Sequence, residues 1–180
     1  LTETFVCADA HDADRLQKPH VDRVETTTHQ ESRNGYDIDH VVLHYTTSRN
    51  IEGTINWFQT APVGQRTSAH YIIGRDGLLV QLVPDAFAAW HAGNRHMNLR
   101  SIGIEHVAAA GDEITQEQSE TSLALVRWLC AAYDIPSHSV IPHVAVKPTS
   151  CCGDLFRAFG GRLGGSSEVQ SAAIQRWLAT

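Results

Sequence analysis

The segment Ser68–Pro84, SAHYIIGRDGLLVQLVP, leaves this chain little freedom. Two runs of mostly apolar residues flank Arg75-Asp76-Gly77, and an Asp-Gly pair supplies the positive φ that a tight hairpin turn needs. Part of any sheet must therefore be antiparallel. The other strong segments alternate between strand and helix patterns. IDHVVLHYT, from Ile38, reads as a buried strand ending near His44. NIEGTINWFQT then carries Ile51, Ile55 and Phe58 at the spacing of one helical face, and APVG stops it. SIGIEHV, from Ser101, is a further strand, apolar on both faces apart from Glu105. TQEQSETSLALVRWLCAAYDI is an amphipathic helix, with Thr115 and Gln118 as a capping box and Leu123, Val126, Leu129 and Cys130 along one stripe. A short strand over Ser139–Ile141, a glycine-rich connection and a helix over Glu168–Leu178 close the chain. This order predicts a single α/β domain, a central mixed β-sheet flanked by helices. Residues 1–36 are polar and aperiodic. They are read as an N-terminal extension, with one short helix, packed on or near the domain formed by residues 37–180.

Composition narrows the function. At 180 residues the chain is large enough for one real core. A net charge of -6, with no run of Lys or Arg, gives no electrostatic footprint for nucleic acid. No apolar stretch approaches the roughly 20 residues that span a bilayer. The four cysteines are too unevenly spaced for a disulfide framework, and Cys130 reads as a small core residue. Eleven histidines are the compositional oddity. His11, His20, His29 and His138 are read as surface residues; others fall where chemistry could use them.

The stretch VIPHVAVKPTSCCGDLF, Val140–Phe156, places His143 eight residues before Cys151, in a segment punctuated by Pro148 and Gly153. His44 ends a strand. Glu105 sits inside one, where a carboxylate is costly to bury unless paired or directed at a metal. Three ligands from His44, His143 and Cys151, with a fourth position open, are what metal hydrolysis requires, and a nearby carboxylate could handle the proton. Spacing alone does not bring these positions together, and a histidine that ends an apolar strand is more often structural than a ligand.

VVLHYT, SAHYIIGRDGLLVQLVPD, AWHAG, NLRSIGIE and PHVAVKPTSCCGDLF occur in this order and at a spacing that resembles the zinc-dependent N-acetylmuramoyl-L-alanine amidases. That family is shared by phage amidase-type lysozymes, muropeptide-recycling amidases and peptidoglycan recognition proteins. The likeness covers about residues 38–160. It implies one Zn²⁺ per chain on His44, His143 and Cys151, with Glu105 as the catalytic carboxylate. It also implies cleavage of the amide between the lactyl group of N-acetylmuramic acid and L-alanine. Three departures stand out. Cys152 replaces the proline usual after the third ligand, which leaves Cys152, and less well Asp154, as rivals to Cys151. Thr149 stands where many members have a lysine, so it offers a hydrogen bond to an oxyanion without a charge. Ala69 stands where some phage members have a tyrosine. Trp90 and His91 are read as a wall of the substrate cleft, and Asn98 and Arg100 as substrate contacts, with Arg100 able to pair with a stem-peptide carboxylate. The expected partner is peptidoglycan or a muropeptide, and the expected state a monomer. The alternative is a wall-binding module with little hydrolysis. A chain beginning at Leu1 leaves its location open between a secreted or periplasmic protein and an endolysin released at lysis.

Overall fold

A computed structural model describes residues 17–180. Cys7, His11 and the first part of the N-terminal extension lie outside the described residues; the short helix expected in the extension does not occur in its described part, residues 17–36, which holds strands instead.

The hairpin forms as its turn chemistry dictates. β4 (Tyr71–Ile73) and β5 (Leu79–Gln81) pair antiparallel. Gly77 takes φ +84 and donates to the Gly74 carbonyl, while Asp76 Oδ1 accepts from Leu78 N. β3 (His40–Tyr45) and β7 (Ser101–His106) pair parallel through their whole length, and β4 joins β7 in parallel. β8 (Val140–Pro142) runs parallel to β3 on its other side. With β1 (Arg23–Val24) parallel to β5, the six-stranded sheet has the order β1-β5-β4-β7-β3-β8. It is mixed, with one antiparallel pairing among its neighbours.

Helices cover both faces. α1 (Ile51–Thr60) is capped by Asn50, whose side chain accepts from Gly53 N, and buries Ile55 and Phe58. These pack with Ile72, Val80, Leu82 and Val107 on one face. α3 (Gln116–Tyr133) starts at Thr115, which accepts from Gln118 N. It buries Leu125, Val126, Leu129 and Cys130, and Leu123 packs at the edge of that stripe. With α4 (Ser167–Leu178) and its fully buried Trp177, α3 closes the larger cluster over Val41, Leu43, Ile102 and Ile104.

Four short elements, β1 among them, are absent from the sequence expectations. β2 (Gln30–Ser32) and β6 (Phe87–Ala89) form a separate antiparallel pair, and α2 (Arg95–Arg100) precedes β7, capped by Asn94. All are short, and their pairing spans more than fifty residues, so local pattern carries little trace of them. The described part of the N-terminal extension thus adds β1 and β2 to the sheets. Arg33 pins it there, buried and donating to the carbonyls of Asp85, Leu99 and Ser101.

Candidate metal centre

The parallel strands β3, β7, β4 and β8 end at one edge of the sheet, the place where α/β folds gather ligand-binding groups. Strand register does the first assembly. His44 on β3 is the partner of Glu105 on β7, so both side chains leave the same face side by side. β8 pairs Pro142 with Leu43 and delivers His143 as the first residue of the single turn His143–Ala145. The chain then loops back to Cys151, and the Tyr45 amide donates to its Sγ at 3.4 Å. Gly153 takes φ +62 just beyond, where a Cβ would meet the Tyr45 ring at 3.0 Å.

One donor atom from each of His44, His143 and Cys151 lies within 4.8 Å of the others. His44 Nδ1 is 3.8 Å from Cys151 Sγ, and the two imidazole centroids are 4.5 Å apart. Tetrahedral zinc sets nitrogen and sulfur donors about 3.3–3.6 Å apart, so these residues fit an ion with modest contraction. Their chemistry fits too. Burial, then the neighbouring His91 and His143, hold the His44 pKa well below its ordinary 6.5, which keeps the imidazole neutral with a lone pair to offer. The Cys152 thiol and burial push the Cys151 thiol up, a preference that a bound cation reverses. Cys152 itself faces away. It is fully buried and donates to the Leu43 carbonyl at 2.9 Å, so of the adjacent thiols only Cys151 joins the histidines. Asp154 accepts from Leu163 N and pairs with Arg157.

Glu105 is the other unusual group. Its Oε2 is sealed from solvent with no hydrogen-bond partner, and burial pushes its pKa up to about 8. An orphaned buried carboxylate oxygen on the strand position paired with His44 makes Glu105 a candidate functional group. Glu105 also lines a cavity of about 430 Å³, together with Thr46, Thr47, Ser48, Asn50 and Trp57. Thr149 Oγ1 accepts from the Cys151 amide at 3.3 Å, which leaves its own proton free to donate.

The remaining residues singled out from the sequence lie elsewhere. His91 is buried beneath His44, its Nδ1 3.0 Å from His44 Nε2, so it backs the cluster and does not wall a cleft. Trp90 is half-buried and stacks on His29, ring planes 7° apart, which also corrects the surface reading of His29. Asn98 is buried, and its Oδ1 accepts from the amides of His91 and Ala92. Arg100 pairs with Asp39 just before β7 begins, five residues ahead of Glu105 and at the other edge of the sheet. A strand pattern tells which residues alternate but not which end of a loop meets the cluster. His70, fully buried, accepts from Gly103 N.

Fold and site together define an α/β domain with a two-histidine, one-cysteine centre and a buried acid at the carboxyl edge of its parallel strands. The chain belongs to the N-acetylmuramoyl-L-alanine amidase family, whose profile matches residues 34–154. It is 38% identical over 93 residues to N-acetylmuramoyl-L-alanine amidase A of Achromobacter lyticus, covering 50% of each chain. The chain thus spans about half the length of the curated relatives it matches. Among solved structures, AmpD superposes with a TM-score of 0.63 at 25% identity, over 71% of this chain and 84% of that one. AmiD from E. coli, solved with anhydro-N-acetylmuramic acid-L-Ala-D-gamma-Glu-L-Lys, shares the fold with a TM-score of 0.60 at 24% identity, over 72% of this chain and 58% of that one.

Proposed function

We propose that this chain is a zinc-dependent hydrolase of peptidoglycan or muropeptides that cleaves the amide between the lactyl carbonyl of N-acetylmuramic acid and L-alanine. The observation that carries this reading is the orphaned Oε2 of Glu105 beside the His44, His143 and Cys151 donors. The family membership supplies the bond. His44, His143 and Cys151 would hold one zinc ion, which contributes Lewis acidity that activates water and polarises a carbonyl at neutral pH. Glu105, whose buried Oε2 has no other partner, takes a proton from the attacking water and returns it to the departing alanine nitrogen. The Thr149 hydroxyl donates to the oxyanion as it develops, as a neutral donor. Thr46, Thr47, Ser48 and Asn50 give the adjacent cavity a hydroxyl- and amide-rich lining suited to the polar substrate.

Mass spectrometry of digested muropeptides tests the reading. The expected products are stem peptides with a free L-alanine amino terminus and an intact lactyl carboxylate. Cuts only within the stem would replace the assigned bond. Binding of wall fragments without products, in protein carrying stoichiometric zinc, would favour a binding module.

A further inference from the structure

The loop Trp90–Gly93 is not used in the reaction above, yet it touches both histidines of the cluster. His143 Nε2 lies 3.0 Å from the Ala92 carbonyl, and His44 Nε2 lies 3.0 Å from His91 Nδ1. We propose that His91, anchored by Ser101, is a positioning residue that fixes the ring of His44 so that Nδ1 is the nitrogen offered to the metal. The inference rests on the metal reading above and extends it to residues outside the ligand set.

Hydrogen-bond bookkeeping from the far end sets every proton. Ser101 Oγ is 2.6 Å from the Met97 carbonyl, which can only accept, so the hydroxyl donates there. Its lone pair then faces His91 Nε2 at 3.1 Å, which places the His91 proton on Nε2. His91 Nδ1 is left as an acceptor, and the group opposite it, His44 Nε2, must carry a proton. His44 Nδ1 therefore keeps the lone pair, and it is the atom that approaches Cys151 Sγ. The same logic holds for His143, whose Nε2 donates to the Ala92 carbonyl, so that its Nδ1 keeps the lone pair. One loop thus sets the tautomer of both imidazoles.

The relay is held mechanically as well. The His91 ring lies across Gly103, where a Cβ would fall inside van der Waals contact, so a side chain at 103 would expel it. Asn98 Oδ1 clamps the amides of His91 and Ala92 at 3.2 and 2.8 Å. The His91 and His44 ring planes stand 88° apart with centroids at 5.1 Å, and Nδ1 and Nε2 are 3.0 Å from each other. Partners of this kind fix a ligand's tautomer and orientation, and losing one typically lowers metal affinity about 10–100-fold.

Two measurements decide the proposal. Nitrogen-15 NMR of the zinc-free wild type should show His44 as the Nε2–H tautomer. Competition with a chromophoric chelator should show zinc affinity falling about 10–100-fold in His91→Ala and less, several-fold, in Ser101→Ala. Zinc affinity in His91→Ala within twofold of wild type, or an Nδ1–H tautomer at His44, overturns it. Should His91→Ala fail to fold, Ser101→Ala, which removes one oxygen, decides. There His44 and His91 must show mixed tautomers while the melting temperature in chelator stays within a few degrees of wild type, and a single unchanged tautomer refutes the relay. A wild-type chain that binds zinc yet leaves muropeptides intact would sink the proposed reaction without touching this inference.

Discussion

The two faces of β3 and β7 are made from alternate residues of the same strands. On one face Val41, Leu43, Ile102 and Ile104, all fully buried, meet α3 and α4. On the other, one residue away in each case, stand His44, Ser101, Gly103 and Glu105. The apolar face stabilises the domain, while the polar face carries groups that burial penalises: a carboxylate oxygen with no partner and imidazoles kept neutral. The difference teaches that electrostatic strain is tolerated here because it is tied, residue by residue, to the best-packed part of the sheet.

The comparison breaks most visibly at neighbouring positions. His44→Ala should bring retained zinc and wall lysis down to background while leaving the unfolding transition in chelator largely in place. Leu43→Ala, one residue back, should cost about 2–5 kcal/mol of stability and leave the activity of each folded molecule unchanged. Zinc titration, lysis assays and urea unfolding on the pair would show it. If the two variants lose the same property, the faces are not divided as described.

Glu105→Gln sharpens the picture. It should retain zinc and lose about 10²–10⁴-fold in turnover, the usual worth of a positioned acid–base group. It should also change how the metal-free protein responds to pH. Burial raises the Glu105 pKa from 4.5 to about 8, so the folded state holds this proton more tightly than the unfolded chain. Its favourable contribution is complete below about pH 4.5 and drains away as pH rises through 8. The Gln variant should therefore gain on wild type as pH increases, seen in urea midpoints measured in chelator at pH 5 and pH 8.5. An equal gap at both pH values would mean that Glu105 is not the strained group.

The smallest effect is expected at Arg100, which pairs with Asp39 at the opposite edge. Arg100→Ala should leave muropeptide kcat/KM within twofold and shift stability by less than about 1 kcal/mol. A tenfold loss in kcat/KM would return this arginine to the substrate.

Elements whose signals are local were legible in the chain. The Asp-Gly turn announces the hairpin, the Thr115 cap marks the start of α3, and the branched run before His44 forms β3 as read. β2, β6 and α2 were not, because three- to six-residue elements rest on partners distant in sequence. At the centre, the resemblance named His44, His143 and Cys151, since spacing says nothing of which distant segments converge. Choosing between the adjacent cysteines needed the direction in which each thiol leaves the backbone. The reach of His91 to His44 was hidden for the same reason. One signal was available: glycine at 103, in a strand otherwise rich in branched residues, marks a close approach of another group, and that group is the His91 ring.

The three donors are not equally anchored. His44 belongs to a strand hydrogen-bonded on both sides, whereas His143 and Cys151 bracket a segment in which Ala145, Lys147, Pro148 and Ser150 face solvent. Such a grip has one fixed jaw and one movable jaw. Loading and shedding an ion then need only local opening of the loop, at far less cost than disrupting the ladder that carries His44.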